Sequence, residues 1–136
     1  MHRSIRCSSA LVVAGVIAAG AAIAPAAAQA KTYKVNLSFV GGLTGGVNMA
    51  AKVSGKPLGT CSMKGKLVIP DTQQVWTCKG GTIKVTGHGT SGAADDAKGT
   101  WKITGGTGKF KKVTGGGAFT GKQSTGKFSY TGSISY

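Results

Sequence analysis

Few side chains in this 136-residue chain are of types that do chemistry, and their spacing narrows what each can do. Of three cysteines, Cys7 stands near the start, while Cys61 and Cys78 form an even pair in the body of the chain. In an oxidising compartment such a pair reads as one disulfide. Closing the interval between them stabilises a fold by roughly 3 kcal/mol in the chain-entropy account. Metal ligation is the weaker reading, because no further Cys accompanies them and His88 is the only His beyond residue 30. His88 lies between Gly87 and Gly89 on the polar parity of its segment, the place of a surface imidazole. A general base needs a nucleophile or an orienting acid within reach, and spacing identifies neither. Asp95-Asp96 is too sparse for calcium, which takes six or more oxygens, so the pair reads as turn-forming. Gly105-Gly106-Thr107-Gly108-Lys109 faintly suggests a phosphate loop. Such a loop needs a Lys-Ser/Thr pair opening a helix, whereas Phe110-Lys111-Lys112-Val113 follows without helical period. It too reads as a turn. No catalytic, cofactor-binding or metal-binding residue is assigned.

The lysines are more informative. The first six residues, Met1-His2-Arg3-Ser4-Ile5-Arg6, are basic; an uncharged apolar run spans Ala10 to Ala24, Pro25 breaks it, and Ala28-Gln29-Ala30 offers small residues. That order is a secretory leader, and the run is shorter than the ~20 apolar residues of a membrane span. Cys7 precedes the run, a poor place for lipid attachment. Residues 1–30 are therefore expected to be a signal peptide and 31–136 a single domain, exported to the periplasm or beyond, with no transmembrane segment after cleavage. Removing Arg3 and Arg6 from a chain of net charge +14 leaves +12, carried by lysine alone, with no Glu. Lys34, Lys64, Lys66, Lys84, Lys102 and Lys127 fall on the outward parity of their segments, and Lys109, Lys111 and Lys112 cluster at a turn. Lysines keep surfaces soluble, but this excess points to attraction for polyanions. Lys109, Lys111 and Lys112 are the candidate contact. Without Arg for bidentate base readout, nucleic acid is the poorer partner; anionic polysaccharide, teichoic-type polymer or lipid headgroups suit an exported protein better.

These side chains must be positioned by strands. No stretch shows a 3.6-residue apolar period, and alternation with period two recurs instead. Tyr33, Val35, Leu37 and Phe39 alternate with polar residues, as do Cys61, Met63, Leu67 and Ile69; Trp76 and Cys78 share a face, as do Trp101 and Ile103, and Phe128, Tyr130, Ile134 and Tyr136. About eight strands are predicted: 32–40, 46–54, 59–69, 73–79, 82–89, 98–104, 113–121 and 126–136. Gly-rich turns separate them, and Gly92 to Ala97 forms the longest polar loop. Regular short strands imply an all-β barrel or sandwich. A closed antiparallel eight-stranded barrel is preferred, because pairing the last strand with the first removes an apolar edge. Trp76, Trp101, Phe119, Phe128 and Tyr130 are then candidates for the interior lining. Such an interior is either filled or holds one small ligand. The strands on either side of Pro70-Asp71-Thr72, a natural turn, would pair with both sulfurs on the core side. In strict register Cys61 would lie somewhat beyond Cys78's direct partner, which calls for a bulge or non-adjacent pairing.

The stretch Ile103-Thr104-Gly105-Gly106-Thr107-Gly108-Lys109-Phe110, with Gly99-Thr100-Trp101 before it and Val113-Thr114-Gly115 after, resembles a segment of the allene oxide cyclase and dirigent-like barrels. The likeness is local, covering about residues 99–117. It implies an eight-stranded antiparallel barrel with an apolar interior and, for an enzyme, isomerisation of an apolar substrate. Those families use acidic, Arg or Tyr residues inside the barrel, and no motif here places their counterparts. The chain is therefore read as an exported basic barrel, a binding or surface-associated module for an anionic envelope polymer or a small apolar ligand, without a cofactor. The alternatives are an isomerase of the resembling kind and a purely structural envelope protein.

Overall fold

The computed structural model describes residues 29–91 and 95–136; the expected leader lies outside them except for Gln29 and Ala30. Eight strands follow in chain order: β1 (Thr32–Gly45), β2 (Asn48–Gly55), β3 (Gly59–Val68), β4 (Asp71–Cys78), β5 (Gly81–Ser91), β6 (Asp96–Gly106), β7 (Thr114–Lys122) and β8 (Lys127–Ser135). Each pairs antiparallel with the next, and β8 returns to pair with β1, giving a closed barrel. Closure is the predicted outcome, and the sandwich alternative falls. Burial follows the period-two pattern. Val35, Leu37 and Phe39 are buried along β1 while Lys34, Asn36 and Ser38 are exposed.

Up-and-down connectivity gives the barrel two distinct ends. The base carries the start of β1, the β2–β3 and β4–β5 turns, and the β6–β7 connection with its 3-10 turn Gly108–Phe110. The mouth carries the β1–β2, β3–β4, β5–β6 and β7–β8 connections. Phe110 swings under the base, where it is fully buried and packs edge-on against Tyr136 at 4.8 Å between ring centroids. The base half is filled by Leu37, Val53, Met63, Trp76, Ile83 and Ile134, all essentially without exposure. At 150–250 Å² per large aromatic, Trp76 alone removes apolar area worth about 4–6 kcal/mol from water. This half supplies most of the stabilising burial.

Two local expectations are corrected. The turn between β3 and β4 consists of Ile69 and Pro70, with the peptide between them cis, so Asp71 and Thr72 belong to β4 and not to the turn. Moving the turn toward the N-terminus shifts the register: Ser62 faces Thr77 and Met63 faces Trp76. Cys61 then stands opposite Cys78, Cα atoms 4.4 Å apart, and the two form the disulfide without a bulge. That separation is characteristic of a directly opposed, non-hydrogen-bonded antiparallel pair. Both cysteines are buried on the core side, as their parity implies. The second correction concerns β6, which begins at Asp96 and runs to Gly106, so Asp96 and Ala97 leave the loop and join the wall.

Candidate functional site

Inward-facing positions change character from base to mouth. Along β5 they read Ile83, Val85, Gly87, Gly89; along β6, from base to mouth, they read Ile103, Trp101, Gly99, Ala97. Bulky residues fill the lower half, and glycine or alanine stands where the upper half would need filling. The result is a cup of about 640 Å³ open at the mouth. Phe39, Phe119 and Phe128 form much of its wall, with Met49, Leu67 and Ala97. Phe119 lies across its cross-strand partner Gly99, where an added Cβ would stand 2.6 Å from the ring. Aromatic cover over a bare glycine holds the ring against the wall and leaves the centre open. The rim is apolar on one side: Leu43, Val47, Val68 and Ile69 are all exposed, Ile69 to 83%.

Polar groups meet at the floor. Gln74 is the only buried polar residue in the core of the described residues, 3% exposed, and shares the inward parity of Trp76. The indole of Trp76 can only donate, so the Gln74 oxygen must face it; Nε1–H donates to Oε1 at 2.9 Å. The Gln74 amide then donates both hydrogens, to Thr72 Oγ1 at 2.9 Å and to the Tyr130 hydroxyl at 3.1 Å. Tyr130 accepts that bond, and its own proton has no acceptor among the described residues. Its ring is held between Phe39 and Phe119, stacked at 5.5 and 5.4 Å, with Trp76 and Trp101 at about 6 Å. Burial pushes the hydroxyl above the ordinary tyrosine value, opposed by the Gln74 hydrogen bond. Tyr130 is therefore a fixed, neutral hydrogen-bond donor at the bottom of an apolar cup.

The residues singled out in the sequence divide between the two ends. Trp76, Trp101 and Tyr130 are buried, whereas Phe119 and Phe128 are half-buried and line the cup. Lys109, Lys111 and Lys112 are exposed at the base, remote from the cup. His88 is on the outer wall, with Nδ1 against the carboxylate of its cross-strand partner Asp71. An orienting acid is thus present, but no nucleophile bonds the ring among the described residues. Asp95 and Asp96 are structural: Asp95 accepts the Ser124 N–H and hydroxyl at 2.7 and 2.8 Å, and Asp96 accepts from Lys122 at 2.9 Å. Those Ser124 bonds hold the Asp95 carboxyl below the usual carboxylate range. Among the described residues no group of three or more His, Cys, Asp or Glu could hold a metal ion.

Gln74 and Thr72 were not identified from the sequence. A signal existed, since both share parity with Trp76 and Cys78, and a glutamine on an apolar face asks for partners. No family model matches the chain, nor does any curated protein or solved structure.

Proposed function

We propose that this protein is a binding module for a small, largely apolar ligand that enters the mouth and offers one hydrogen-bond acceptor to Tyr130. The observation that carries this reading is the cup itself, apolar in its walls, with the Tyr130 hydroxyl proton at its floor lacking an acceptor among the described residues. Its volume lies within the roughly 300–1,000 Å³ of small-molecule sites. The apolar rim supports entry of such a ligand, and the disulfide is consistent with an oxidising compartment and hence with export. The ligand class that fits is a hydrocarbon skeleton carrying a carbonyl, ether or similar oxygen.

The local likeness to allene oxide cyclase and dirigent-like barrels favours a second reading, isomerisation of an apolar substrate, and Tyr130 at the floor is placed to assist it. Binding is preferred because the ionisable groups on the cup are Tyr130 at the floor and Asp96 and Lys98 at the rim. A neutral phenol polarises a carbonyl but does not itself abstract a proton. The test is titration with N-phenyl-1-naphthylamine, a neutral probe that brightens in apolar surroundings. Saturable one-to-one binding is expected, lost in Ala97→Trp, which fills the cup from its wall. Failure of the native barrel to take up this probe and neutral apolar ketones of similar size would overturn the proposal.

A further inference from the structure

We propose that the base of the barrel is a docking face for a linear, hydrated polyanion, so that the bound protein turns its mouth away from the anchor. Six lysines lie outside the strands: Lys31, Lys56, Lys79, Lys109, Lys111 and Lys112. Every one of them is at the base, and the mouth connections carry none. The three aspartates show the opposite bias, since Asp71 opens β4, Asp96 opens β6 and Asp95 precedes it, all at the mouth. Strand lysines wrap the wall, but the turn lysines concentrate charge on one end with no acidic side chain nearby to cancel it.

The fold also draws these lysines together. Lys109 N–H donates to the Gly80 carbonyl at 3.0 Å, fastening the turn that bears Lys79 to the 3-10 turn. Lys31 exchanges two backbone hydrogen bonds with Tyr136, both 3.1 Å. The Lys109 ammonium sits over the rings of Phe110 and Tyr136, 5.1 and 5.7 Å from their centroids. Cation–π contact of this kind orients a long side chain, so Lys109 is partly pre-positioned while Lys111 and Lys112 extend beside it. Among the described residues the exposed large hydrophobics lie at the mouth or along the wall, none at the base. With no Arg to read base edges and no exposed aromatic ring to stack on bases among the described residues, a polymer of repeating anionic groups is the fitting occupant.

The probe is long-chain inorganic polyphosphate, titrated at several salt concentrations against the native barrel and two variants of equal charge. The base variant is Lys109→Gln/Lys111→Gln/Lys112→Gln; the wall variant is Lys64→Gln/Lys84→Gln/Lys102→Gln. At about 0.7 counterions released per contact, as for single-stranded polyanions, losing three contacts lowers the salt slope by about 2 and affinity about a hundredfold near 0.1 M salt. The wall variant should lose only a few-fold. Equal losses would overturn the proposal, because net charge alone would then explain the binding. A larger loss in the wall variant would also overturn it, moving the site to the groove between Lys64 and Lys84. Tighter binding to phosphatidylglycerol vesicles or duplex DNA than to polyphosphate would overturn the choice of occupant. All six substituted side chains are exposed, and Lys111→Gln/Lys112→Gln, which spares the ring contacts, serves where the triple base variant melts early.

Discussion

Replacing Tyr130 by Phe removes one oxygen and leaves the ring stack between Phe39 and Phe119 in place. The atom lost accepts one hydrogen of Gln74, whose other hydrogen goes to Thr72 and whose oxygen is occupied by Trp76. Gln74 cannot flip to compensate, because Trp76 would then face an amide donor. One buried N–H is left without a partner, a cost of about 1–3 kcal/mol. Water entering the open cup can reach the vacated position, which sets the expected loss near the lower end, about 1 kcal/mol. For a domain of this size that lowers Tm by about 4–8 °C. Binding should discriminate more sharply. For 2-acetylnaphthalene, which carries a carbonyl, losing the Tyr130 donor costs about 1.4 kcal/mol, roughly a tenfold rise in Kd. For 2-ethylnaphthalene, of similar size without an acceptor, Kd should move less than about twofold, since only area burial is involved. The assay is thermal unfolding alongside fluorescence titration of both naphthalenes with both proteins. An equal change for the two ligands would refute Tyr130 as the orienting donor, and an unchanged Tm would refute the hydrogen-bond chain beneath it.

Removing the disulfide by Cys61→Ala/Cys78→Ala should cost roughly 3 kcal/mol, read as a lower denaturation midpoint; an unchanged midpoint would show that the bridge constrains nothing. The Asp95 carboxyl is held below its ordinary value of 3.8 by Ser124, so its contribution is present above that value and is lost as pH falls through the folded value. Protection of the Ser124 amide relative to its intrinsic exchange rate should fall only below pH 3.8, and Asp95→Ala should lower that protection at neutral pH. Tyr130 is shifted upward by burial, so its contribution is intact below pH 10 and is lost as pH rises through the folded value. Burial shifts Tyr136 upward as well, so absorbance titration at 295 nm should contain a late phenolate amplitude from both, which Tyr130→Phe reduces by the Tyr130 share; an unchanged late amplitude in the variant would refute the assignment.

Period-two alternation made the barrel legible, because inward and outward residues differ so consistently in polarity along β1, β3 and β6. The disulfide was legible for the same reason, through the shared parity of its cysteines. Its register was misjudged because Asp71 and Thr72 have the composition of a turn, yet Ile69-Pro70 makes a two-residue connection and releases both into the strand. The cup was harder to see. A hollow interior is recorded as what is missing at inward positions, and Gly87, Gly89 and Gly99 read as turn punctuation in a chain with 24 glycines. Only the pairing of β5 with β6 sets Gly89 level with Gly99, with Gly87 one step below on the same strand and Ala97 one step above on the other. Likewise the Gln74 network joins residues 56 positions apart, a juxtaposition that no local pattern encodes.

The same distribution explains why the hollow sits where it does. Glycine-lined wall loses the packing that side chains would supply, and an unfilled interior forgoes dispersion contacts. Such a half must be held by something else. At the base, the Cys61–Cys78 bridge ties β3 to β4, Phe110 plugs the end, and Trp76 and Trp101 fill the section just below the cup. At the mouth, the Asp95–Ser124 bonds clasp the segment before β6 to the β7–β8 turn from outside the cavity. Between the two halves lies the Trp76–Gln74–Tyr130 chain, joined by Thr72. An apolar residue at position 74 would pack well against Trp76's ring but leave its N–H without an acceptor, and Tyr130 would then be free to rotate its proton to any partner. Gln74 thus fixes the donor at the floor while satisfying the indole beneath it. A polar residue that only stabilised the core would not need to leave one proton facing an open cup.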